Sequence, residues 1–282
     1  MNISRKIKKT LLGFLLAGLL GVPQAQAQES ARLDTFSCPI VGFSIAPVMP
    51  STHFSGATGF EGTGVVPTMA DLYKGPYLGF GLHFLYKTMS NWVFSLDGNI
   101  WMGSDNLQHR IDRMGSVFSR DSLVIGTNGT DANVTCYNRH LSLQGSVGKI
   151  IPLFPDRNPN SGLLLRMGGG YARGQSIFMI NDVNAPQIDG DYALLYDHQR
   201  HGLMLTEAIG YWFMSNHANL LNFSVTFEVS QLWSQSTRDY LIDNYAGLRG
   251  KDNAHYFDLL YTLRFTWMFP LKGKTVHDYY YF

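Results

Sequence analysis

The 282-residue sequence has only two cysteines, Cys38 and Cys136. That count excludes a disulfide scaffold and a cysteine-based zinc site. Charge is sparse as well. Asp, Glu, Lys and Arg make up 15% of the chain, with 22 basic residues against 21 acidic ones. A chain so balanced shows no electrostatic footprint for nucleic acid, and none is expected as a partner. Long apolar runs are equally scarce. The one present is "TLLGFLLAGLLGV" (10–22), preceded by the basic "MNISRKIKK" and followed by "PQAQAQ". This reads as a secretory signal peptide over residues 1–27, with the cleavage site near Ala27. With no second run of about 18 apolar residues, no helical membrane span is expected. Cys38 lies past the cleavage site, and "DTFSC" is no lipidation signal.

What the sequence does have is glycine, 29 residues of it, and aromatics at 13%. Together with strand-like patterning, this composition suits antiparallel barrels and sandwiches better than helical folds. The segment "YFDLLYTLRFTWMF" (256–269) shows the pattern. Phe257, Leu259, Tyr261, Leu263, Phe265, Trp267 and Phe269 form one greasy set. Asp258, Leu260, Thr262, Arg264, Thr266 and Met268 form a mixed one. That is period two, a strand with one apolar face. The alternation recurs at 75–87, 91–103, 139–149, 162–172 and 220–230. The segment 38–49 reads as a first strand, and 201–213 is a strand of ambiguous phase.

The eight segments, each roughly 10 to 15 residues, exceed the usual globular strand. Their connections alternate. Short ones fall at 88–91, 151–161 and 215–218, and long polar ones at 50–74, 104–136, 179–200 and 234–255. Short periplasmic turns and long extracellular loops are the layout of an outer-membrane barrel. The expectation is an all-β, antiparallel transmembrane up-and-down barrel of about eight strands over 28–282. Its greasy face meets lipid and Arg264 points into the interior. Trp92, Tyr211, Trp212, Trp267 and Phe269 are expected in an aromatic girdle. Cys38 and Cys136, at opposite membrane sides, are not expected to bridge.

In layout the mature chain resembles the outer-membrane β-barrel proteins of Bacteroidetes. The stretch "SVGKIIPLFPDRNPNSGLLLRMGGGYA" (146–172) is most similar to an element of an uncharacterised barrel family of that group. The resemblance implies outer-membrane residence and no activity. Barrels of this kind commonly end on an aromatic last strand. Here Phe269 ends the strand and "PLKGKTVHDYYYF" follows, closing on Phe282.

The polar phases of the strands gather His83, Lys87, Asp97, His140, Gln144, Arg166, Glu228 and Arg264. A tight turn at 88–91 sets His83 opposite Asp97, and Glu228 and Arg264 sit on adjacent strands. A lumen of eight strands is just wide enough for side chains, so the cluster reads as an ion-pair network filling it. "HLS" (140–142) superficially resembles the H-x-S of outer-membrane lipid A deacylases. A serine nucleophile needs a base in reach and an acid orienting that base, and His140 and Ser142 are expected to point inward. "GTNGTDAN" (126–133) is turn chemistry, and the acids near 112–121 and 180–191 lack a calcium-loop spacing. The glycines at 168–170 lack the following helix of a nucleotide fingerprint. No catalytic, metal-binding or cofactor-binding residue is assigned, and no cofactor is expected. The expected partners are outer-membrane lipid and an envelope protein. The expected role is a non-enzymatic barrel acting through its loops or as an accessory subunit of an envelope or secretion complex. The alternative is a lipid-modifying enzyme.

Overall fold

In the computed structural model, residues 35–51, 56–58, 76–106, 119–120, 123–154, 158–180, 183–186, 189, 198–215, 222–236 and 255–271 are described. The expected signal peptide, the tail beyond Leu271 and most of the four long connections lie outside these residues.

Eight long strands follow in chain order: β1 (Cys38–Pro50), β2 (Tyr77–Lys87), β3 (Trp92–Asn106), β4 (Val134–Pro152), β5 (Gly162–Ile180), β6 (His198–Met214), β7 (Asn222–Ser236) and β8 (His255–Pro270). Each pairs antiparallel with the next, and β1 pairs with both β2 and β8, so the sheet closes on itself. Closure leaves no open edge among the eight, as lipid requires of any sheet that crosses it. The short strand Gly56–Thr58, within the first long connection, pairs with the start of β8. Ser119–Arg120 and Leu123–Val124 pair with each other inside the second.

The register fixes the geometry. A line of paired residues from Ile40 runs through Leu85, Ser95, Ser146, Gly168, Thr206, Ser230 and Leu260. It returns to β1 at Pro50, ten residues further along. That offset is the shear, and with eight strands it tilts them by about 40°. An interior of this width holds side chains and little else.

Burial follows the expected period. On β8 the residues from Tyr256 to Met268 alternate between buried and exposed or half-exposed. Phe80, Phe84, Phe94, Leu143, Phe227, Leu263 and Phe265 are all at least 40% exposed, on the outer surface. The phase of β6 is now fixed. Met204, Thr206, Ala208, Trp212 and Met214 point inward, and Leu203, Glu207, Ile209 and Tyr211 outward. Trp212 therefore leaves the expected girdle. It is 1% exposed and joins Cys38, Ile40, Leu85, Val93, Ile150, Leu164, Met214 and Met268 in an apolar plug at the short-turn end. Trp92, Tyr211, Trp267 and Phe269 stay outside, as expected.

The strands outgrow their expected lengths on one side. β4, β5, β6 and β7 run beyond the alternating segments toward the long connections. The short end is tight. Thr88–Asn91 closes β2 to β3 with a Thr88 N–H bond to Trp92 O at 2.8 Å, and Asn91 sits at φ 61°, where Asn is one of the residues that bear it. Cys38 keeps its thiol, buried beside Lys87 at this end, while Cys136 stands opposite Asp105 at the other.

β5 is pressed against β4 through glycine. A Cβ on inward Gly170 would strike the Leu143 carbonyl and lie 2.5 Å from Gln144 Cα, whereas one on outward Gly169 would meet nothing nearer than 3.7 Å. Gly170→Val is expected to destabilise the barrel by about 1–3 kcal/mol. Gly169→Val is expected to leave stability close to wild type. Urea unfolding in lipid vesicles measures both, and equal losses at the two positions would contradict this packing.

Candidate functional site

The interior is layered along its axis. Above the apolar plug lies a belt of charged and hydrogen-bonding side chains. Above that comes a second apolar layer of Val48, Tyr77, Trp101, Ala172, Met204, Leu232 and Leu260.

Glu228 is the junction of the charged belt and is 1% exposed. Arg264 reaches it with both arms of its fork, Nε to Oε1 and Nη2 to Oε2, each at 2.9 Å. Arg166 donates to Oε1 at 2.6 Å, and the Thr226 hydroxyl donates to the same oxygen at 3.1 Å. Arg166 also donates to Asp97 Oδ2 at 3.3 Å, linking the two carboxylates. Asp97 takes a further bond from Ser95 Oγ at 2.9 Å. His83 Nδ1 stands 2.7 Å from Asp97 Oδ1, as the register pair His83↔Asp97 requires. The second nitrogen of His83 lies 2.7 Å from Ser44 Oγ. The spare arm of Arg264 donates to Ser44 Oγ at 3.0 Å and to Asn99 Oδ1 at 2.5 Å. Two guanidinium groups thus meet two carboxylates, and the hydrogen bonds fit a neutral imidazole between Asp97 and Ser44. Buried charges are retained in this way, paired and fully bonded.

Sequence reasoning named His83, Asp97, Arg166, Glu228 and Arg264, and the structure brings all five together. Two other expected members stand apart. Gln144 accepts from Thr206 Oγ1 at 3.0 Å, in a small group that includes Ser230. His140 packs edge-on against Tyr77 with ring centroids 5.1 Å apart, and its Nε2 has no hydrogen-bond partner among the described residues. Both point inward as expected. Gln144 is the register partner of Asp97 but bonds across to β6, and His140 lies four residues further along β4, paired with Trp101 of the second apolar layer. Lys87 also leaves the group. It binds Phe36 O at 3.0 Å and Asn160 Oδ1 at 2.9 Å, sealing the short-turn end. Ser44 and Asn99 were missed, because a serine and an asparagine on polar phases carry no signal until the register is known.

Ser44, His83 and Asp97 reproduce the connectivity of a serine–histidine–aspartate relay. Chemistry needs more than connectivity. Ser44 Oγ already accepts from Arg264 and is buried, with Asn99 and Gly81 packed close. An acyl carbon needs a free approach to the oxygen, and an apolar layer closes the lumen on each side. The "HLS" pair fares no better. His140 and Ser142 are both buried and face inward, and Ser142 Oγ accepts from Asn99 Nδ2 at 3.3 Å. Among the described residues no group of three metal-ligating side chains converges.

No protein-family model and no curated protein matches the chain. Solved structures similar to it include Ail, the attachment invasion locus protein of Yersinia pestis, in complex with the heparin analogue sucrose octasulfate. That match has 11% identity and a TM-score of 0.34, over 82% of this chain and 97% of that one. Neisserial surface protein A is another, with 8% identity and a TM-score of 0.32, over 80% of this chain and 95% of that one. At these values the likeness carries no functional argument, and the barrel rests on its own strand pairing.

Removing Glu228's charge leaves Arg264 without its carboxylate and Arg166 with Asp97 alone. Glu228→Gln is expected to cost about 3–5 kcal/mol in urea unfolding from lipid, the range for breaking a buried ion pair. Adding Arg264→Met is expected to restore part of the loss. Strictly additive losses would mean that the two side chains do not interact.

Proposed function

We propose that the chain is a non-enzymatic outer-membrane β-barrel protein. It works through its long connections, or as an accessory subunit of an envelope or secretion complex. The observation that carries this reading is the inversion of the molecule. A broad band of large apolar side chains covers the outer surface, while Asp97, Arg166, Glu228 and Arg264 are buried inside. In water such a surface aggregates; in a bilayer it is satisfied. The tight turns face the periplasm and the long connections face outward. A filled lumen leaves those connections, or the outer wall, as the place where a partner binds. The barrel family of Bacteroidetes implied by the resemblance belongs to the same reading.

With Cys38→Ala and Cys136→Ala removing the native thiols, cysteines placed in 104–136 and 179–200 are expected to react with an impermeant maleimide on whole cells. Cysteines placed in 88–91 or 215–218 are expected to stay unlabelled until the cells are opened. The reverse pattern would invert the topology, and a chain found only in soluble fractions would end the membrane reading.

The second reading, a lipid-modifying hydrolase, has one observation behind it, the Ser44–His83–Asp97 connectivity. A fluorophosphonate probe decides between the two. The folded protein is expected to remain unlabelled, and labelling at Ser44 would favour the enzyme.

A further inference from the structure

The outer belt has a defect. Lys149 marks its lower border, beside the Ser90 carbonyl at the short-turn end and over the Trp92 ring at 5.0 Å. Arg139 and Arg173 mark its upper border on β4 and β5. Between those levels the outward positions of the eight strands carry one charged residue, Glu207 on β6, and it is exposed. Glu207 stands beside Met167 on β5, and Arg173 lies six positions above Met167 on that strand. Lys149 stands beside Leu165, two positions below Met167, and the tilt lowers it further on β4. Each position is worth about 2.5 Å of height in strands tilted this way, which puts Glu207 near mid-belt. Glu207 makes no hydrogen bond or ion pair with any described residue. An ionisable side chain at that depth is costly, and its default reading is functional.

The wall beside it is low. Gly169 faces outward on β5, the strand next to Glu207, close to its level, and Gly145 does so on β4, one strand further round the barrel. A Cβ on either of them would meet nothing nearer than 3.7 Å. Next to Glu207 a depression of about 540 Å³ opens, with Val147, Leu165, Met167, Ile209 and Phe227 in its walls.

We propose that this face of the barrel binds a second copy of the chain, with Glu207 of each protomer meeting the other across a two-fold axis along the membrane normal. The inference rests on the outer-membrane reading above. Acyl chains of common phospholipids offer no hydrogen-bond donor at mid-bilayer depth, so the carboxyl needs a protein group at its own height. A two-fold axis along the normal guarantees that, because equivalent residues share one height. The pair is chemically self-complementary. Two facing carboxyl groups, each with one O–H donor and one C=O acceptor, can exchange two hydrogen bonds with each other. The glycine positions lower the wall, so that backbones can approach without side chains between them.

The test uses the full chain in outer membranes, with Cys38→Ala and Cys136→Ala removing the native thiols and Ile151→Cys, at the water-accessible short-turn rim below Glu207, as reporter. A short bismaleimide is expected to yield a band of twice the monomer mass. Glu207→Leu is expected to reduce that band at least tenfold, while the heat-modifiable monomer remains. Glu207→Gln is expected to keep it, since two carboxamides pair as two carboxyls do. Gly169→Trp, a wedge on the low wall, is expected to reduce it as Glu207→Leu does. A band that persists in Glu207→Leu overturns the proposal. So does a folded, membrane-resident barrel with no such band, or a Glu207-dependent band of another mass, which would identify a different protein as the occupant. A chain absent from the outer membrane fails at the earlier step, that of placement, and takes this inference with it.

Discussion

One carboxylate holds the lumen together. Glu228 takes bonds from Arg264, Arg166 and Thr226, and through Arg166 it is joined to Asp97 and His83. Those residues come from β2, β3, β5, β7 and β8, so the network ties strands from all round the barrel. The constraint behind it is closure. Eight strands with a shear of ten leave an interior filled by one layer of side chains at each level. Any charge in that space must meet its partner at once, because desolvating it alone costs several kcal/mol. A bidentate arginine suits the task better than lysine, since its planar fork matches the carboxylate and stays charged.

The same closure explains the order of the layers. The charged belt is flanked along the axis by the plug around Trp212 and the layer around Trp101. Lys87 and Asn160 close the short-turn end with hydrogen bonds of their own. Low dielectric above and below strengthens each ion pair. This is the setting in which the Ser44–His83–Asp97 connectivity belongs to the scaffold. The serine is fixed between an arginine and a histidine, and its hydroxyl completes the bonding of both.

The fold was legible in the sequence because a barrel wall is written in period two. Segments such as 75–87 and 220–230 leave no choice of phase, and His83 opposite Asp97 followed from one tight turn. Glu228 with Arg264 followed from phase on neighbouring strands. β6 was different. Ala208, Gly210 and Glu207 blur its alternation, and with the phase open Trp212 was placed outside on the grounds that aromatics gather at strand ends. The height of a residue in the lumen was not legible either. It depends on tilt, which accumulates around the circle and is set by the whole register. That is why Ser44 and Asn99 escaped notice, whereas His140 stands apart because it lies four residues along β4 from Gln144, the partner of Asp97.

The central claim is that the lumen is filled and held shut by balanced charge. Ion conductance through single refolded molecules in a planar bilayer tests it most directly. The account predicts no channel steps from the wild-type barrel at moderate voltage. Stable, discrete steps from the wild-type protein would show a continuous aqueous path through the level of Glu228 and Arg264, and would contradict it.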